Sequence, residues 1–287
     1  MKVADNSVEA VIRQYQVQLS DRHPPDLIKV LVRMVFAERL GWDAARLEVS
    51  RKTGLSESEL LQVYDPLRPL VEGVPIQYVL GSVLFHGLRI KVRPGALIPR
   101  PETEELVQHV LASGHAPERI LDIGTGSGCI ALSLKQGFPN AEVMGMDRSP
   151  LALALAQENG AALGLPVSWS QRDLFTDGIP AGPFDIIVSN PPYIPSSLMD
   201  ELDPIVKDHE PHEALFVPGD DPLQFFKVIA EQAVLGLRPG GMLWFETHHD
   251  GARAVARSLA EGGFEDPTIH KDLSGVERFV HARRREG

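Results

Sequence analysis

The chain is short of the features that would point to a secreted, membrane-bound or strongly nucleic-acid-binding protein. Its 287 residues include a single cysteine, Cys129, so no internal disulfide can form. A reducing, cytoplasmic setting fits that usage. Long apolar runs are missing: no stretch reaches the ~18 residues that a membrane-spanning helix needs. The opening "MKVADNSVEAVIRQ" has acids and no apolar block, which argues against a signal peptide. A surplus of basic charge is missing too, since the formal net charge is −11. Residues 1–75 carry 10 basic and 11 acidic side chains and the remainder 18 and 28, so the acidity sits in the larger part. Nucleic acids are bound mostly by cationic neutralisation of phosphates, so this balance argues against a broad nucleic-acid face. The small basic cluster "HARRREG" at the end reads as a solvated chain terminus.

What is present is length enough for about two domains and a sizeable core. Residues 1–74 read as a small helical bundle. Val8, Val11, Ile12, Tyr15 and Leu19 recur at helical spacing, as do Leu27, Val30, Leu31, Met34 and Val35, then Leu60, Tyr64, Leu67 and Val71. "DRHPPD" separates the first two helices, and Ser56 with Glu59 three residues on forms a capping box. Residues 75–97 are rich in β-branched and apolar residues, with Gly81 and Gly87 between, and read as a hairpin linker. From residue 98 to 287 strands and helices alternate. That pattern predicts an α/β fold: a doubly wound, mostly parallel sheet with helices on both faces.

In such sheets ligands bind beyond the carboxyl ends of the strands. Three strand ends here carry unusual residues. "LDIGTGSGCIAL" places Gly124, Gly126 and Gly128 in a strand-to-helix turn, with Asp122 before it, where glycine lets the backbone approach a ligand. The last glycine comes one residue too early for the dinucleotide fingerprint, which weakens a nicotinamide reading. Asp147 ends the next strand, where a carboxylate can accept from ribose hydroxyls. Asp173 and Leu174 of "QRDLF" stand where they could border an adenine. "NPPY" at 190–193 ends the strand "FDIIVS" with two residues that cannot donate to a sheet ladder. Asn190 offers one acceptor and two donors, Pro191 keeps its carbonyl, and Tyr193 gives a flat face. Together they suit a planar –NH2 group, with Pro192 stiffening the loop.

These residues together resemble class I S-adenosylmethionine-dependent methyltransferases, which are Rossmann-like, and among them the enzymes that methylate planar nitrogens. "IPRPETEELV" at 98–107, "LDIGTGSGCIAL", "VSNPPYI" and "EPHEAL" at 210–215 follow in the order seen in the peptide-chain release-factor glutamine N5-methyltransferase family. The resemblance implies S-adenosylmethionine as cofactor, with S-adenosylhomocysteine as product. It implies that Gly124, Thr125, Gly126, Ser127, Gly128 and Asp147 hold the cofactor, with Asp173 and Leu174 at its adenine. Asn190 is expected at the junction of cofactor and substrate. Asn190, Pro191, Pro192 and Tyr193 are expected to hold the glutamine amide; Arg100 and Glu102 are expected either to lie near it or to form a salt-bridged helix start. The implied partner is a protein, a release factor with a Gly-Gly-Gln loop; the near-neutral helical domain either docks it or only stabilises the fold, and neither membrane nor DNA is expected. Two other substrates share parts of the pattern: a different protein glutamine, such as one of a ribosomal protein, and the adenine N6 of DNA, which the acidic balance disfavours. A regulator that only senses S-adenosylmethionine would have no need of "NPPY". The chain departs from the family after Glu246, where "ETHHDGA" brings His248 and His249. Adjacent residues point apart, so no metal site is expected there.

Overall fold

The computed structural model describes residues 5–286. Residues 1–4 of the opening stretch and Gly287 of the basic tail lie outside them. The chain divides into two compact units, Met1–Gly81 and Ser82–Gly287.

The first unit holds six helices among the described residues: α1 (Val8–Leu19), α2 (Pro25–Leu40), α3 (Ala44–Val49), α4 (Glu57–Tyr64), α5 (Leu67–Val71) and α6 (Ile76–Leu80). The apolar stripe of α1 is the one its spacing predicts, with Val8, Val11, Ile12, Tyr15 and Leu19 all buried. On α2 the stripe is shifted. Ile28, Leu31, Val32, Val35 and Phe36 are buried, while Leu27 and Val30 are 41% and 46% exposed. Both stripes obey the 3.6-residue period, and the neighbouring helices select between them. Proline opens α2 and Gly41, in a left-handed conformation, closes it. Ser56 and Glu59 form the reciprocal capping box at the start of α4.

Residues 76–80 correct one expectation. They form the short helix α6, not the first arm of a hairpin. Pro75 before it and left-handed Gly81 after it bracket one helical turn. The hairpin is confined to β1 (Ser82–Phe85) and β2 (Leu88–Lys91), and it falls in the second unit.

The second unit continues with α7 (Pro101–Leu111), β3 (Arg119–Ile123), α8 (Cys129–Gly137), β4 (Glu142–Asp147), α9 (Pro150–Leu163), β5 (Ser168–Gln171) and β6 (Phe184–Ser189). Then come β7 (Ile194–Pro195), a 3-10 turn, α10 (Pro204–His209), α11 (His212–Leu215), β8 (Phe216–Val217), α12 (Gln224–Gly236), β9 (Leu237–Glu246), α13 (Ala252–Glu261), β10 (Phe264–Lys271) and β11 (Glu277–Arg284). Seven strands form one sheet in the order β10-β11-β9-β6-β3-β4-β5. The pairings from β9 through β5 are parallel, and β11 joins β9 and β10 antiparallel. β6 is buried along its whole length, as befits a central strand covered on both faces. β7 and β8 form a separate two-stranded parallel pair. No helix of the described residues is long and apolar enough to cross a membrane.

Candidate active site

The site follows from strand order and register. Strands run outward from β3 to β4 and β5 on one side and to β6 and β9 on the other, so the order reverses between β3 and β6. Such a reversal opens a crevice at the carboxyl ends. Ile123 pairs with Met146 on one side and Ser189 on the other, and Ser189 pairs with Phe245 of β9. Gly124, Asp147, Asn190 and Glu246 therefore leave the sheet in one row.

The glycine turn after β3 is held from below by two carboxylates. Asp122 is wholly buried. Its Oδ2 accepts from the Thr125 hydroxyl at 2.6 Å and from the Ala131 amide at 3.2 Å. Burial pushes its carboxyl up to about 7, against the pull of those two donors. The Asp147 oxygens accept from the Gly126 and Ser149 amides, each at 2.9 Å. Burial also raises the Asp147 carboxyl above its usual range, and these donors oppose that rise. Gly124, Gly126 and Gly128 all have positive φ. At Gly128 a Cβ would lie 2.9 Å from the Trp169 ring, and at Gly145 of β4 it would lie 2.8 Å from the Thr125 hydroxyl. The loop and the sheet edge thus meet too closely for any side chain at those two points. At Gly124 and Gly126 a Cβ would enter open space instead.

Asn159 of α9, 1% exposed, ties the loop to the hairpin. Its amide donates to the Ser127 carbonyl at 2.9 Å and the Lys91 carbonyl at 3.1 Å, and accepts from the Lys91 amide at 2.8 Å. The sequence reading missed this residue, because an asparagine inside a helix has no local signal of its long-range partners.

A cavity lies beyond these strand ends. Gly124, Gly126, Asp147, Asp173, Leu174, Asn190, Pro191 and Pro192 all line it. Ile123, Met146, Phe225 and Ile229 add apolar wall, and Glu213, paired with Arg148 at 2.8 Å, adds charge. Thr125 and Ser127 are turned inward, 4% and 2% exposed, and Gly128 packs under Trp169. The five-residue loop thus presents only Gly124 and Gly126 to the cavity. Asp173 accepts from the Phe175 amide at 2.8 Å, which fixes its carboxylate at the rim.

At the other end of the row, the Asn190 Nδ2 donates to the Thr103 hydroxyl at 3.2 Å. Thr103 in turn donates to Glu246 Oε2 at 2.7 Å. Glu246 is 2% exposed, and burial pushes its carboxyl up to about 7 while hydrogen bonds from Thr103 and from Asn190 itself, and the charge of Arg278, hold it down. Tyr193, unlike Asn190, Pro191 and Pro192, does not line the cavity: it is half-buried against the core, and burial followed by the Glu246 charge pushes its phenol up to about 12. Its ring lies 5.8 Å from that of His248.

Arg100 does not line the cavity, though its charge is felt at Tyr193. It forms a 2.5 Å ion pair with Glu210, which is 4% exposed and also accepts from the Ile98 amide at 3.1 Å. The "IPRPETE" and "EPHEAL" segments are thereby clamped together, and a buried carboxylate needs such a partner. Glu102 does not line it either, but its charge is felt at Tyr193 and Glu246. His248 and His249 do not point apart: their ring centroids are 3.9 Å from one another. Ligand atoms of His248, His249 and Asp250 all fall within 4.8 Å of one another. The turn after Thr247 folds the residues together, and Asp250 bonds the His248 Nδ1.

The arrangement offers a glycine-floored, partly apolar cleft with a carboxylate at the second strand, suited to a nucleoside, beside a stiff loop of acceptors. Comparisons with known proteins place the chain among methyltransferases. The family profile described as "Methyltransferase small domain" matches residues 101–201. A release factor glutamine methyltransferase of Bacteroides thetaiotaomicron is 40% identical over 280 residues, covering 97% of this chain and all of the relative. One of Deinococcus radiodurans is 40% identical over 79% of this chain and 80% of its own length. Among solved structures, a methyltransferase from Pyrococcus furiosus superposes with a TM-score of 0.52 at 20% identity, over 69% of this chain and 90% of that one. A Thermus thermophilus 16S rRNA N2 G1207 methyltransferase, in complex with AdoMet and guanosine, also gives 0.52 at 20% identity, over 71% of this chain and 50% of that one. These two structural likenesses show the fold.

Proposed function

We propose, because this chain belongs to the release factor glutamine methyltransferase family, that it transfers a methyl group from S-adenosylmethionine to the side-chain nitrogen of the glutamine in the Gly-Gly-Gln loop of a peptide-chain release factor. The observation that carries this reading is the junction of the two halves of the crevice. Asn190 stands one residue beyond the Ile123–Ser189 pair and lines the same cavity as Gly124 and Asp147.

The cavity fits the cofactor. Asp147 has both oxygens pre-oriented by backbone amides, each with capacity left for a ribose hydroxyl. The open space at Gly124 and Gly126 lets the backbone come close. Leu174, with Met146 and Ile229, gives the adenine an apolar seat, and Asp173 stands at its edge. When bound, S-adenosylmethionine supplies a methyl carbon made electrophilic by the sulfonium it is attached to.

The chain's own residues have a different task. An amide nitrogen is a poor nucleophile, since its lone pair is delocalised into the carbonyl. Asn190 Oδ1 accepts one N–H of the substrate amide and the Pro191 carbonyl the other. Both acceptors push electron density onto the nitrogen and orient it. Pro191 and Pro192 hold the loop in place through their fixed φ. Tyr193 supports the plane of the amide and stays a neutral phenol, its ionisation pushed far above neutrality. As the methyl group would leave the sulfonium as the neutral thioether of S-adenosylhomocysteine, the nitrogen that gains it would become acidic and its proton would leave last, to solvent. No covalent enzyme intermediate is formed.

The helical first unit gives the protein substrate a place to dock, since a tripeptide loop alone offers little to identify its owner. Co-expression with a bacterial-type release factor, followed by mass spectrometry, tests the function. The expected result is one added methyl mass on the glutamine-containing peptide. Methyl transfer confined to another protein's glutamine would move the substrate, and methylated DNA adenine would replace the reading.

A further inference from the structure

Building on that reading, we infer that Thr103 and Glu246 are positioning residues, which set the orientation of the Asn190 carboxamide so that its oxygen, not its nitrogen, faces the substrate. Hydrogen-bond polarity fixes that orientation. A carboxylate can only accept, and a threonine hydroxyl has one proton to give. With that proton committed to Glu246 Oε2 at 2.7 Å, Thr103 Oγ1 can only accept at its remaining face. The Asn190 group that meets it, at 3.2 Å, must therefore be the NH2 end. A flipped amide would set two acceptors against each other in a buried place. Thr103 and Glu246 are 3% and 2% exposed, so no solvent relieves that clash. The chain of donors also polarises Asn190, which makes Oδ1 a better acceptor for a substrate N–H.

The same chain has a protonation state in which it fails. A protonated Glu246 could donate to Thr103, and Thr103 could then donate to Oδ1 of a flipped Asn190. The groups that face Glu246 fix where this happens. Glu102 of α7 and the phenol of Tyr193 lie near it, as do Arg278 of β11 and Cys129 of α8. Burial outweighs the hydrogen bonds that Thr103 and Asn190 give Glu246 and the pull of Arg278, and sets the carboxyl at about 7. Turnover should therefore be full above that pH and fall as the pH drops through it.

The test uses the full-length protein with a release factor, comparing Thr103→Val, which keeps the shape, with Thr103→Ser, which keeps the hydroxyl. Thr103→Val is expected to lower kcat about 100-fold, the scale of a misplaced reacting group. The affinity for S-adenosylmethionine, read by calorimetry, should stay within about twofold. Thr103→Ser should restore most of kcat, and Glu246→Gln should remove the acid limb of the pH profile. A Thr103→Val variant with normal kcat overturns the inference, as does a folded Thr103→Ser variant that behaves like Thr103→Val. A second readout needs no substrate. The side-chain 1H–15N signals of Asn190 should move when Thr103 becomes valine, and unchanged signals also overturn it. If wild-type protein leaves the release factor unmethylated, the functional reading falls, while the NMR signals still decide the role of Thr103.

Discussion

The two halves of the crevice are built alike and wired differently. Each has a loop at a strand end, a threonine beneath it and a buried carboxylate that accepts that threonine's hydrogen bond. In the glycine half Asp122 accepts from the hydroxyl of Thr125, three residues on, and from the amide of Ala131, nine residues on. In the asparagine half Glu246 accepts from Thr103 across 143 residues, and Thr103 accepts from Asn190 across 87. The first arrangement shapes a backbone cradle. The second aims one side chain. A cradle can be closed by neighbours in sequence, but aiming a group into a crevice needs supports from several walls, and those come from distant elements.

Breaking each half should have a distinct signature. The largest effect belongs to Asn190→Ala. It should cost turnover about 100-fold or more, on the scale of a lost charge-stabilising contact, while binding of S-adenosylmethionine is largely kept. Single-turnover kinetics check this, and a near-normal rate would remove Asn190 from the chemistry. Asp147→Ala should do the reverse. It loses acceptors for the ribose and weakens cofactor affinity about tenfold or more, read by calorimetry. An unchanged affinity would take Asp147 out of the cofactor site.

The smallest effect is on stability. Asp122 and Glu246 both have carboxyls raised to about 7 in the folded chain, from unfolded values near 3.8 and 4.5. Where the folded chain keeps a proton that the unfolded chain has lost, stability falls as pH rises. Their stabilising contribution is full below those unfolded values and is lost as pH rises through about 7. Asp122→Asn and Glu246→Gln should each flatten the Tm-against-pH curve in that window relative to wild type. Only Glu246→Gln should also change the pH profile of turnover. Equal effects of both variants on turnover would erase the distinction between the two halves.

The same difference explains what could be read from the sequence. The alternation of strands and helices, the glycine turn, Asp147 and "NPPY" are local patterns, and the sheet aligns them at one set of strand ends. The capping box of Ser56 and Glu59 was legible for the same reason. Thr103, Glu246 as a support of Asn190, and Asn159 as a tie between loop and hairpin were not, since their partners are set by register rather than spacing. Arg100 shows the converse. Its motif pointed to the site, but its partner is Glu210, 110 residues away, and the pair clamps two segments together. On α2 the period was right and the phase was wrong, because only packing decides which face is covered.

The most direct measurement is a crystal structure of this protein with S-adenosylhomocysteine and a Gly-Gly-Gln peptide. The account predicts the glutamine side-chain nitrogen within hydrogen-bond distance of both Asn190 Oδ1 and the Pro191 carbonyl, with the Asn190 NH2 still on Thr103. A glutamine amide bound away from residues 190–193, or meeting the Asn190 nitrogen instead of its oxygen, would contradict it.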